Sequence, residues 1–153
     1  MKALLIGAIV LLAVFVAAPA QAKPPLGRWR GPCSTWLYGE NLKPRDFATD
    51  PTRSHRMITR LVTCVFNRYA PGNGTVALYV MNRESGGYPW ARNSYSGCAG
   101  LFQHITWRGR AALYLQRWQF GPKAWMPSAY DPRANAIVAA HMVAAEGWGA
   151  WSL

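Results

Sequence analysis

The sequence predicts a mainly α domain built around one long glycine-rich loop. Apolar residues recur at helical spacing in four separate stretches, and two of these open on Asp-Pro. Between the second and third stretches, residues 86–103 are rich in Gly, Ser, Asn and aromatics and show no such spacing. That loop has room for a short β-hairpin.

The chain opens MKALLIGAIVLLAVFVAAPAQA. Lys2 gives a positive start, Ala3 to Ala18 is unbroken apolar sequence, and Pro19 ends the run. Ala20-Gln21-Ala22 then offers small residues for cleavage, so residues 1–22 read as a secretory signal peptide. The apolar run is shorter than the roughly 20 residues a membrane span needs. A secreted, cell-wall-associated protein is expected.

Residues 23–50 hold Pro24, Pro25, Pro32 and Pro44 among scattered Gly and aromatics. They read as an extended arm wrapped on the domain and pinned through Trp29, Trp36 or Cys33. The domain proper is expected over 51–153. Asp50 can cap a helix whose first residue is Pro51, and Ile58, Leu61, Val62, Val65 and Tyr69 carry it to about 69. Thr75 can cap a second helix, its Val76, Leu78, Tyr79, Val80 and Met81 dense enough to bury most of its surface. Gly86-Gly87 stops it just beyond Glu84. A third helix is expected over 106–119, with Trp107, Ala111, Tyr114, Leu115 and Trp118 on one stripe. Asp131-Pro132 opens a fourth, which turns Ala134, Ile137, Val138, His141, Met142 and Ala145 inward and stops at Gly147.

Seventeen Lys and Arg face six Asp and Glu, a formal charge of +11. Loss of Lys2 with the signal leaves +10, and thirteen of the sixteen remaining cations are arginines. Such a chain suits an anionic surface, which outside a cell means wall polymers or membranes. No nucleic-acid motif appears. Cys33, Cys64 and Cys98 allow one disulfide and one thiol in an oxidising compartment, in any of three pairings. There is no Cys-x-x-Cys, and His55, His104 and His141 stand far apart, so neither metal nor cofactor is expected. A monomer is expected.

Elimination singles out one acid. Asp50 and Asp131 are explained as helix caps, Glu40 and Asp46 as solvated arm residues, and Glu146 as an exposed residue beside a helix stop. Glu84 follows the most apolar helix, and apolar walls would raise its proton affinity, as a general acid requires. Arg83 is adjacent in sequence, but neighbours on a helix do not face each other. Glycoside cleavage usually employs two carboxylates. The second would be an unrecognised partner such as Asp131, or the substrate itself would supply the group. Tyr88, Trp90, Asn93, Tyr95, Ser96 and Gln103 give the loop aromatic platforms and neutral hydrogen-bonding groups suited to sugars, and Gly97 and Gly100 let its backbone turn tightly.

Glu84-Ser85-Gly86, then Pro89-x-Ala91-x-Asn93, then Ser96-Gly97-x-x-Gly100-Leu101-Phe102-Gln103 resembles the signature of SLT-type lytic transglycosylases of the lysozyme-like superfamily. "DPRANAIVAAHMV" is similar to that family's Asn-bearing helix, and "GWGAWS" to the closing segment of its short secreted bacterial and phage members. The resemblance covers about residues 55–152. It implies a small lysozyme-like helical domain that cleaves the β-1,4 bond between N-acetylmuramic acid and N-acetylglucosamine in peptidoglycan. Carried over by position, Glu84 is the general acid and then the base. The proton it takes back comes from the sugar's own 6-hydroxyl (an anhydro product) or from water. Ser85 would hold an N-acetyl or hydroxyl group, and Gln103 would bind substrate and orient Glu84. Gly100 and Leu101 would shape the groove, and Asn135 would tie the last helix to the loop. Larger members support the acid with a later Tyr; here Tyr130 or Tyr114 would have to serve. Residue 136 is Ala where the family usually has Ile. The rival reading is a non-catalytic cationic protein that binds walls or membranes.

Overall fold

The computed structural model describes Cys33 and residues 42–115 and 127–153. The signal-peptide reading, Trp29, Trp36 and Trp118 lie outside these residues. The described chain is mainly helical, in the order α1 (Pro44–Thr49), α2 (Pro51–Tyr69), α3 (Gly74–Ser85), α4 (Trp107–Tyr114) and α5 (Pro132–Glu146), with a closing 3-10 turn at Gly149–Trp151. No helix among the described residues is long and apolar enough to cross a membrane.

The caps explain the helix starts. The Asp50 carboxylate accepts from Arg53 N at 2.9 Å, and the Asp131 carboxylate accepts from Ala134 N at 2.8 Å. Each satisfies a backbone donor that the first turn leaves without a partner. The second helix begins one residue before the expected cap, at Gly74 with Asn73 as N-cap, and it ends where Gly86 turns left-handed at φ 62°. The expected third helix ends early. Leu115 is already extended, so α4 stops at Tyr114 rather than near 119.

α1 departs from the extended arm expected before Asp50. Pro44 occupies its first turn, and the backbone N–H of Lys43 donates to the Asp46 carboxylate at 2.6 Å. The helix is held because Phe47 is buried, with its ring edge-on to His55, Tyr88 and Trp90 at 5.3–5.8 Å. Behind it, Cys33 is bonded to Cys64 of α2, which selects one of the three pairings.

α2 and α5 form the centre of the domain, with α3 and α1 on α2 and α4 on α5. Ile58, Leu61, Val62, Val65 and Phe66 of α2 meet Ala136, Ile137, Val138, Ala139 and Ala140 of α5, all fully buried. Burying each Ile, Leu, Val or Phe among them contributes about 1.5–3 kcal/mol. α5 is not the one-sided helix its spacing predicts: Pro132 to Ala140 are buried on every face, while Ala145 is exposed. α3 errs the other way. Only Ala77, Val80 and Met81 are buried, and Tyr79 is 58% exposed. The loop contains no strands, only isolated antiparallel bridges pairing Ala99 with Arg92 and with His104.

The disulfide leaves Cys98 as the free thiol. The native chain should titrate as one thiol, rising to three after reduction. Cys64→Ser should lower the unfolding free energy by about 3–4 kcal/mol for a closed loop of this length, read as a shifted denaturant midpoint.

Candidate active site

A cleft of about 600 Å³ opens between the end of α3, the glycine-rich loop, α4 and the C-terminal turn. Its lining includes Arg83, Glu84, Asn93, Cys98, Gln103 and His104. Arg110, Met142 and Trp151 also border it. Glu84 is the one carboxylate in that lining.

The loop is shaped by a single side chain from α5. The Asn135 carboxamide donates to Ala99 O (3.2 Å) and Ala129 O (2.9 Å) and accepts from Phe102 N (2.9 Å), entirely away from solvent. Its main-chain carbonyl is 3.0 Å from His104 Nε2. This close approach dictates Gly100. The residue has φ 82°, and a Cβ there would lie 2.1 Å from Asn135 Nδ2 and 2.3 Å from Ala129 O. Any side chain would both strain the backbone and strike the tie. Gly97 also has a positive φ, of 74°, but no atom crowds it. It serves the turn that closes Asn93 N onto Cys98 O at 2.9 Å.

Gln103 sits beside this tie with φ 48°. Its Nε2 donates to Ala91 O at 3.1 Å and Gly100 O at 2.9 Å, so both amide hydrogens are spent on the loop. What Gln103 offers a ligand is therefore its carbonyl oxygen, an acceptor. Asn93 lines the cleft too, its Oδ1 accepting from Tyr95 N (2.9 Å) and Ser96 N (3.1 Å).

Glu84 is not set against apolar walls. Its side chain is 25% exposed, and Arg83 Nε and Nη2 both donate to its Oε1, at 3.1 and 2.8 Å. The same Nη2 donates to Trp151 O at 2.5 Å, and the guanidinium lies 6.0 Å from the Tyr79 ring centroid. The hydrogen bond to Glu84 raises the proton affinity of the guanidinium. Adjacent side chains leave a helix about 100° apart, yet this pair meets in the last turn because the Trp151 carbonyl draws the long arginine across. Oε2 of Glu84 takes no bond from any described residue.

Several expected contacts lie elsewhere. Leu101 is fully buried in the core and does not shape the groove. Tyr88 and Trp90 pack on Phe47, away from the cleft, while Tyr95 is fully exposed. The Ser85 hydroxyl donates to Met81 O at 3.0 Å and accepts from Gly87 N at 3.2 Å, so it closes the end of α3 rather than lining the cleft. Asp131 is spent on its cap, and burial raises its proton affinity. Tyr114 Oη donates to Glu146 at 2.8 Å, and neither Tyr114 nor Tyr130 lines the cleft. The partner that sequence missed is Arg83. The available signal was the closing GWGAWS, because Trp151 binds Arg83 through its carbonyl and Phe102 O through its indole Nε1 at 3.0 Å.

His104 is buried, and desolvation lowers its pKa to about 4. Because its Nε2 faces a carbonyl, the neutral ring carries its proton on Nε2. Compared with known protein families, curated proteins and solved structures, the chain finds no match.

The depressed His104 value fixes a pH dependence. Between about pH 6.5 and 4 the unfolded ring binds a proton that the folded ring refuses, so stability is present above 6.5 and is lost as pH falls through the folded value. The loss should approach about 3 kcal/mol, partly offset by buried Asp131, whose raised value works the other way. Denaturant melts at pH 7 and pH 4.5 should show the loss, and His104→Gln should reduce it, leaving the part due to His141, whose value burial also lowers.

Proposed function

We infer that the chain is a peptidoglycan-cleaving enzyme of the lytic transglycosylase or lysozyme type, with Glu84 as its acid and base. The observation that carries this reading is the placement of Glu84. A lone carboxylate, with one oxygen held by a guanidinium and the other taking no bond from any described residue, borders a cleft that also presents the Asn93 and Gln103 carboxamides. The resemblance of the Glu-Ser-Gly and Gly-Leu-Phe-Gln segments to the transglycosylase signature supplies the substrate class.

In this account Oε2 of Glu84 delivers its proton to the glycosidic oxygen between N-acetylmuramic acid and N-acetylglucosamine. The C1–O bond breaks, and N-acetylglucosamine leaves as an alcohol. The carboxylate then takes a proton from the muramyl 6-hydroxyl, whose oxygen bonds to C1, or from a water that does the same. No second carboxylate enters either step. Arg83 keeps Oε1 fixed against the Trp151 carbonyl, so the working oxygen has one direction to face. The carbonyl oxygen of Gln103 accepts from a sugar hydroxyl or amide.

Incubation of the mature chain with purified peptidoglycan should release soluble muropeptides. Glu84→Gln should slow that release by at least about 100-fold while leaving binding intact. Equal release by both proteins would remove Glu84 from the chemistry. Binding without release by either would support the non-catalytic wall-binding reading instead.

A further inference from the structure

Away from the cleft, the outward face of α2 holds a row of cations. Arg53, Arg56, Arg60 and Arg68 are all exposed. At about 100° per residue, Arg53, Arg56, Arg60, Thr63, Cys64 and Asn67 fall within an arc of about 100°, opposite the buried Ile58, Leu61, Val62 and Val65. α2 contains no carboxylate. Among the described residues the ion pairs are Arg45–Asp46 and Arg83–Glu84, so Arg53, Arg56 and Arg60 have no ionic partner. Arg56 and Arg60, four residues apart, repel one another in the free protein.

The row runs into a groove of about 850 Å³ walled by the Cys33–Cys64 disulfide and by Thr59, Arg60, Thr63, Asn67 and Arg68. The groove shares no residue with the cleft. Guanidinium forks bind phosphate oxygens in pairs, and the neutral Thr and Asn side chains suit the hydroxylated links between phosphates. Arg53, Arg56 and Arg60 follow one another at three and four residues, steps of about 4.5–6 Å along the helix axis, which suits a chain of closely repeated charges. Among the described residues the apolar and aromatic neighbours of the row, Met57 and Tyr69, are half-buried, and it is flanked by no exposed apolar or aromatic side chain of the kind that insertion into a lipid surface or stacking on single-stranded bases would require.

We propose that this face of α2 binds a linear phosphodiester polymer of the cell envelope and holds the chain on the wall while the cleft reaches the glycan. The proposal rests on the wall-directed reading above. It is tested with the full mature chain carrying Glu84→Gln, so that the wall is not consumed. Intact sacculi are compared with the same sacculi stripped of phosphodiester polymers by cold hydrofluoric acid. Binding should be at least tenfold tighter to the intact sacculi. Adding Arg56→Gln and Arg60→Gln, which preserves helix propensity, should remove that tenfold on intact sacculi and change nothing on stripped ones. Equal binding to both sacculi, or unchanged binding by the added substitutions, overturns the proposal. Tighter binding to anionic vesicles or duplex DNA than to sacculi, lost in the same variant, also overturns it and assigns the face to that partner. Glycan cleavage of stripped sacculi by the chain with Glu84 intact reads the catalytic proposal separately. The arginine substitutions should leave that rate unchanged.

Discussion

The carboxamide of Asn135 spends both its donors and its oxygen on three backbone groups, and the cleft depends on that tie. Phe102 N, Ala99 O and Ala129 O belong to segments that share no regular secondary structure. A buried backbone group left without a partner costs about 1–3 kcal/mol, so a loop stripped of this side chain would have little to hold it in the interior. The same contact fixes Gly100, whose missing side chain makes room for the amide. It also sets Gln103, whose Nε2 is turned back onto Ala91 O and Gly100 O. Core packing thus becomes chemistry through one polar residue on the most buried helix.

The opposite wall of the cleft hangs on the C-terminal turn. Trp151 is buried, reaches the glycine-rich loop through its indole and holds Arg83 through its carbonyl. Arg83 in turn fixes one oxygen of Glu84. The glutamate therefore sits where a helix end, a loop and the closing turn converge, each constraining the others. Trp148 reinforces that convergence by stacking on Phe66 at 5.7 Å and donating to Asn73 Oδ1 at 2.9 Å. In the proposed mechanism such rigidity matters because proton transfer depends on where a single oxygen points.

Local chemistry made the frame legible from sequence. Asp50, Asp131 and Gly86 act within a few residues of themselves, and their roles as start and stop signals could be read without knowing the fold. Gly97 and Gly100 read as turn residues of the loop from the sequence itself, Asn135 was tied to it only through a resemblance, and the structure gives Asn135 and Gly100 a shared physical cause. What sequence hid depended on tertiary partners. Leu101 and Tyr88 stand in a loop that looks built for ligands, yet one enters the core and the other packs on Phe47, from a helix masked by prolines. Ser85 was assigned to substrate although its hydroxyl closes its own helix end. Glu84 was read against an apolar helix, but its neighbour Arg83 is brought to it by Trp151, sixty-eight residues further along the chain. No local rule carries that pairing.

The claim at the centre of this account is that the chain breaks the glycosidic bond of N-acetylmuramic acid. Mass spectrometry of products from purified peptidoglycan digested in ¹⁸O-labelled water tests it most directly. The account predicts shortened glycans ending at muramic acid, either as anhydro ends without label or as reducing ends carrying one ¹⁸O. Intact glycan strands, with soluble peptides as the only products, would contradict it.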